Sequence, residues 1–310
     1  MAYTTPPTLN PTLKQDIDAM NSVFAKNVNL IARSLANGAL KSSGIQTPKV
    51  SVPKLIQLLD NTIIPTIQYW EGAWSDHPSD SGGPTMRGVI LQTFKQTFNQ
   101  IFVNTGIPDV KAAAERFNAK YPSWRNDDTV GKQILYEVNL NAKVAGLWIV
   151  LFFCSKSCRY PLAIMTEDPF LGYFLAECCW ATGPGVYGPS RCNFDQVARQ
   201  YGWNGNTSQF ALFCANLGPK TGEFASKLVE KRVQWIMKIS APGSRNAVFR
   251  KGWLNRLVND PTRSNIATLI KINETFNLNN SKTYAFNSNE AQHLVTKGET
   301  YKTFSLSIPA

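Results

Sequence analysis

Histidine is nearly absent from this chain. Two occur in 310 residues, His77 and His293. Neither stands in a recognisable cysteine-hydrolase context, which argues against a histidine-activated nucleophile. Long apolar runs are also missing. The most apolar stretch, 144–153, spans ten residues, about half of the roughly 20 that a membrane helix needs, so no membrane insertion is expected. The N-terminal segment Met1-Ala2-Tyr3-Thr4-Thr5-Pro6-Pro7 has neither a basic nor an apolar region. A secretory signal is therefore not expected, and the chain is expected to be made in a cytoplasm. Signatures of zinc fingers, helix-turn-helix modules and RNA-binding modules are lacking. Acidic residues are the minority, 21 against 32 basic, giving a net charge of +11. A basic surface favours polyanions: nucleic acid, anionic membranes or bacterial cell wall. Without a nucleic-acid signature, the first of these is not an expected partner.

What is present is enough apolar residue for a core, 43 % of the chain, which excludes wholesale disorder. The six cysteines, at 154, 158, 178, 179, 192 and 214, are expected as reduced, buried thiols. Cys154 and Cys158 are spaced for one helix face but lack a second ligand pair and a nearby histidine. No metal or organic cofactor is expected.

Periodicity predicts a predominantly helical chain. Leu13, Ile17, Met20, Phe24, Val28, Ile31 and Leu35 recur at helical spacing from Pro11 onward, with Gly38 as the expected stop. Residues 1–50 are read as a helical extension and linker, the linker covering 41–52. A second helical region begins near Pro53, and Pro65 is expected to break it. Residues 65–71 form a short helix that delivers Glu71 at its end. Residues 76–83 are dense in turn formers, and 86–90 read as a short strand. Helical patterns return at 94–102, 133–154, 168–180, 206–214 and 223–239, while 105–135 reads as mixed and polar. The 223–239 helix carries Lys227, Lys231, Arg232 and Lys238 on its polar face. The asparagine- and serine-rich residues 275–310 read as a β-forming appendage or tail within a C-terminal extension, 261–310.

The segment with chemistry in it runs from Trp70 to Ile90. A glutamate, Glu71, ends an apolar helix between Trp70 and Trp74. A polar loop follows with Asp76, His77 and Asp80, then Gly82-Gly83 and Thr85. Glycoside hydrolysis needs an acid to protonate the leaving oxygen and a second group that activates water or steadies an oxocarbenium-like transition state. A glutamate against apolar walls retains its proton more readily, because desolvation disfavours the charge. The indoles beside Glu71 are candidates for that wall and for stacking on sugar. Asp80 is the candidate to steady the transition state or position water, and the Thr85 hydroxyl is the candidate to hold that water. Asp76 and His77 lie on the expected rim. On spacing alone, an ordinary surface hairpin explains the same residues.

The stretch Glu71-Gly72-Ala73-Trp74, Asp80-Ser81-Gly82-Gly83-Pro84-Thr85 and Gly88-Val89 resembles the motif of glycoside hydrolase family 108. It is also similar to phage-type lysozymes, which set an aspartate nine residues after the catalytic glutamate, as Asp80 follows Glu71. Trp180-Ala181-Thr182-Gly183-Pro184-Gly185 resembles the turn after the family's central helix. Arg232 together with 249–256 is similar to the ending of its peptidoglycan-binding-like C-terminal region. Ala73, Ser81 and His77 depart from the motif, and the distance from Thr85 to Gly183 implies an insertion between about 105 and 165. The resemblance covers roughly 55–258. It implies an α+β, predominantly helical, lysozyme-like domain over 51–260 with a small β-hairpin at the active site.

The implied activity is an N-acetylmuramidase that cleaves the β-1,4 bond between N-acetylmuramic acid and N-acetylglucosamine. Its catalytic residues would be Glu71, Asp80 and Thr85. Its substrate-binding residues would be Trp74, Asp76, His77, Gly183 and Gly185. Bacterial peptidoglycan is the implied partner. Such a protein would act as a phage endolysin or a virion-associated lysin, made in the host cytoplasm and acting on the wall. Other virion or tail proteins are candidate partners for the N-terminal helix and C-terminal extension. Two rivals stand beside this reading: a lytic transglycosylase, and a virion structural or wall-binding protein with a lysozyme-like domain.

Overall fold

An asparagine starts the first helix. In the computed structural model, which describes residues 5–76, 83–260 and 262–276, Asn10 Oδ1 accepts from the N–H groups of Thr12 (2.9 Å) and Leu13 (3.3 Å). Pro11 opens helix α1 (Pro11–Ser43), where its missing N–H costs nothing. The expected stripe from Leu13 to Ile31 is buried, but Ala36 replaces Leu35 as its next member. Gly38 does not stop the helix. A helical glycine costs only about 1 kcal/mol, and Ala39 and Leu40 continue the buried face. The stop is Gly44, at φ +80°, a conformation that glycine adopts without strain.

The chain divides into two compact units, Met1–Gly38 with Ile56–Phe152 and Ala39–Leu55 with Phe153–Ala310. Helix α2 (Val52–Leu58) passes into a wide π-type turn (Leu59–Ile63) and on into α3 (Ile64–Glu71). The break expected at Pro65 is this turn: the Ile64 N–H reaches back five residues to the Leu59 carbonyl. Pro65 then sits in the first turn of α3, where no donor is missed. Gly72 closes α3 at φ +74°.

Three two-residue strands come next, β1 (Trp74–Ser75), β2 (Thr85–Met86) and β3 (Val89–Ile90), antiparallel in the order β1-β2-β3. The single strand expected over 86–90 is thus a hairpin. Its two-residue turn, Arg87-Gly88, has φ +50° and +82°, the pair of positive values that a type I′ turn requires. Trp74 stands opposite Met86, Ser75 opposite Thr85, and Thr85 opposite Ile90.

Helices α4 (Leu91–Phe102), α5 (Pro108–Lys120), α6 (Asp128–Leu140) and α7 (Ala142–Phe153) complete the first unit. Helix α5 lies in a stretch whose sequence reads as mixed and polar. Its buried face is Val110, Ala113, Ala114 and Phe117, and alanines carry little hydrophobic signal. The one helix expected over 133–154 is two, bent by 102°. Asn141 makes the corner, its Oδ1 accepting from the N–H groups of Lys143 (3.0 Å) and Val144 (3.2 Å). Among the described residues no single helix is long and apolar enough to cross a membrane; the bent α6–α7 pair meets that test by length and composition only, and residues 144–150 of α7 are buried in the protein. The core is aromatic. Phe24 stacks on Phe102 at 3.8 Å, Phe94 on Trp148 at 5.1 Å, and Phe98 meets Trp124 edge-on at 5.4 Å. Each such ring contributes about 1.5–3 kcal/mol by burial.

The second unit is built on α8 (Pro161–Glu167) and α9 (Pro169–Thr182), which are buried along nearly their whole length. Asp168 caps α9 through the Leu171 N–H at 2.9 Å. Around them lie α10 (Phe194–Gln200), α11 (Phe210–Ala215), α12 (Thr221–Ile239), α13 (Arg250–Leu254) and α14 (Asn265–Phe276). Two sequence expectations change here. Cys154 and Cys158 lie past the end of α7 and share no helix face; all six cysteines are free, and burial pushes the thiols of Cys178 and Cys214 well up. Arg232 does not join the solvated basic face of α12 but is 6 % exposed. Of the expected β-forming stretch 275–310, residues 275 and 276 close α14 and the rest lies outside the described residues.

Candidate active site

The local sequence sets Glu71 on a rigid mount. Ile64, Ile67 and Gln68 face inward on α3, and Gln68 Nε2 donates to the Ala142 carbonyl at 2.8 Å, which pins the last turn. The helix ends at Glu71 because Gly72 turns the chain sharply, its N–H still bonded to the Gln68 carbonyl at 3.2 Å. Glu71 is half-buried there, as is Trp70, whose ring meets Tyr69 edge-on at 5.2 Å.

Two residues further on, Trp74 enters β1. It is 4 % exposed and packs edge-on against Tyr136 at 5.6 Å. Its ring is a covered wall and not an open platform. Its Nε1 is buried and has no hydrogen-bond partner among the described residues. Asp76, half-buried, forms an ion pair with Lys132 at 2.9 Å.

Across the strand pair, Thr85 Oγ1 donates to the Gly83 carbonyl at 2.9 Å. With its hydrogen engaged, the hydroxyl can only accept from a water. A water held that way points one hydrogen at Thr85 and keeps its lone pairs for attack. The hairpin turn is tied down by Arg87, whose Nε donates to the Asn139 carbonyl at 3.1 Å. That bond helps to hold a non-glycine residue at positive φ.

Glu71 thus ends the helix whose chain runs on into β1, Trp74 and Asp76 lie in and just after that strand, and Thr85 stands in β2 opposite Ser75. His77 and Asp80 lie outside the described residues. Gly183 and Gly185 fall in the second unit. Gly183 closes α9 at φ +76°, and Gly185 lies in the 3₁₀ turn 184–187. Three residues near the first-unit cluster escape the sequence reading: Arg87, Lys132 and Tyr136. The Arg-Gly pair between two short apolar pairs is a usable signal for the hairpin turn. Lys132 and Tyr136 come from α6, and only the fold brings them here.

A carboxylic side chain at a helix end, followed in the chain by a small sheet with a water-accepting hydroxyl, has the parts of a glycoside hydrolase. The comparison with known families agrees. Residues 64–125 match the family described as Glycosyl hydrolase 108, a segment that starts with α3, includes Glu71 and the hairpin, and runs through α5. No curated protein and no solved structure matches the chain. The chain thus resembles glycoside hydrolase family 108 over this segment, within an α-rich α+β fold that has a three-stranded antiparallel sheet, and the match supports a glycoside hydrolase activity.

Proposed function

We propose that the chain is an N-acetylmuramidase that hydrolyses the β-1,4 bond between N-acetylmuramic acid and N-acetylglucosamine in bacterial peptidoglycan. The observation that carries this reading is the family match itself, whose segment includes both Glu71 at the end of α3 and Thr85 in β2. Glu71 protonates the leaving oxygen. Asp80 steadies the developing positive charge or positions water, and Thr85 accepts a hydrogen bond from that water. Asp76, held by Lys132, lines the rim with His77 and the Trp74 wall. Gly183 and Gly185 are assigned to substrate binding within the second unit. We assign this machinery to residues within 51–260. The net charge of +11 suits an anionic wall polymer. A phage lysin, free or carried on the particle with tail proteins as neighbours, is the biological setting we infer; it is made in the host cytoplasm and acts at the wall.

The test is digestion of purified sacculi by wild type and by Glu71→Gln, with reducing-end analysis of the products. We expect new reducing ends at N-acetylmuramic acid from wild type. For the variant we expect a loss on the order of 10²-fold or more, typical of removing a general acid. Equal activity of the two proteins would end the assignment.

A further inference from the structure

The second unit contains a cavity of about 110 Å³ with polar groups in an otherwise apolar wall. Trp235, Trp253 and Leu257 supply apolar wall, and Glu177, Arg232 and Arg256 supply charge. Glu177 is 1 % exposed, yet both its oxygens are engaged. Arg256 Nε lies 2.7 Å from Oε1, and Asn265 Nδ2 donates to Oε2 at 2.9 Å. That carboxylate is neutralised in place and does not repel an anion.

Arg232 differs. It is 6 % exposed, and its Nη1 donates to Thr182 Oγ1 at 2.9 Å and reaches Cys192 Sγ at 3.9 Å. Its guanidinium carbon lies 5.0 Å from the centre of the Trp235 ring. Among the described residues no carboxylate forms an ion pair with it. A buried cation without an ion-pair partner is costly, and an anion entering beside it removes that cost. The planar fork of an arginine matches a carboxylate in particular.

The cavity's size and wall restrict what such an anion is attached to. A space of this volume suits one small apolar residue, and its indole and leucine wall favours such a group over a polar sugar. We propose that this cavity binds the C-terminal carboxylate of a short peptide ending in a small apolar residue, with Arg232 as the anchor and the indoles of Trp235 and Trp253 around the methyl group. The stem peptides of peptidoglycan end in this chemistry, an alanine methyl beside a free carboxylate. To that extent the inference rests on the proposed wall substrate, and it gives the second unit a peptide-reading role separate from glycan cleavage.

The experiment titrates full-length protein with D-alanyl-D-alanine, with its C-terminal amide and with chitobiose. Binding is monitored by calorimetry and by the indole N–H signals of Trp235 and Trp253. We expect the acid to bind and to shift both signals, and the amide to bind at least about ten-fold more weakly, as loss of a charge-assisted bond implies. Arg232→Gln should weaken the acid by a similar factor and leave the amide unchanged, with Arg232→Lys in between. Equal binding of acid and amide, no binding of either, or preference for chitobiose would overturn the proposal. If Arg232→Gln does not fold, the acid–amide comparison in wild type decides alone. Glu71→Gln separates the two readings. It should bind the dipeptide like wild type while losing wall hydrolysis; in wild type, absent dipeptide binding with intact hydrolysis removes this inference only, and dipeptide binding without hydrolysis removes the muramidase only.

Discussion

Replacing Gly172 by alanine tests how tightly α8 and α9 are packed. A Cβ built at Gly172 would lie 2.4 Å from the Met165 backbone nitrogen and 2.7 Å from the Pro161 carbonyl oxygen, where ordinary contact begins at 3.4 Å. Both obstacles are backbone, so no side chain can swing aside and the helices must part by about 1 Å. Alanine gains about 1 kcal/mol in helix propensity. Overpacking a filled core costs about 1–3 kcal/mol, occasionally more, and a backbone clash belongs at the upper end. The net expectation is a loss of about 1–2 kcal/mol. Gly38 supplies the control, because a Cβ there meets nothing within 4 Å. It is an exposed helical glycine, so Gly38→Ala should gain about 0.5–1 kcal/mol. Hydrogen exchange at the amides of α9 and α1 reads each change in its own unit, and urea unfolding gives the totals. A Gly172→Ala protein as stable as wild type, or a Gly38→Ala protein less stable than it, would refute the reasoning.

Gly88→Ala places a Cβ at φ +82°, which costs about 1–2 kcal/mol of hairpin stability; reducing-end release should fall several-fold with little change in the main melting transition, and unchanged release would detach the turn from the site. Asp127 caps α6 by accepting from the N–H groups of Thr129 (2.9 Å) and Val130 (3.1 Å), so Asp127→Ala should cost about 1 kcal/mol in urea unfolding, and a loss below experimental error would deny the cap. The Asp16 carboxyl is held below the usual carboxylate range by the bond from Lys120 and then by that from Tyr121. Its folded form therefore binds a proton less readily than its unfolded form. Its stabilisation is present above the usual carboxylate range and is lost as pH falls through the depressed folded value; Asp16→Asn should flatten the acid limb of the stability–pH curve, and an identical limb would refute the linkage.

Much of the first unit is legible in the residues themselves. The stripe from Leu13 to Ile31 and the delivery of Glu71 by a short helix come from spacing and turn chemistry alone. Other elements leave weaker traces. Helix α5 hides because Ala113 and Ala114 fill a tight interface with small side chains, and the corner at Asn141 hides because the apolar residues continue on both sides of it. The hairpin at 85–90 is too short for alternation to declare itself. Arg232 reads as a surface charge on α12 because helical periodicity cannot see the pocket formed by α9, α13 and α14. The relation of Lys132 to Asp76 has no local trace either, since 56 residues separate them.

The π-type turn before Pro65 has a directional consequence. Each residue added to a helix swings the chain beyond it by about 100° around the axis, and a turn wider than the α form resets that angle. Pro65 offers no N–H to the Asn61 carbonyl and its ring crowds that carbonyl in a regular α turn, so the imide ring favours the wider turn. The bearing of the Glu71 side chain is thereby tied to a residue six positions earlier in the chain.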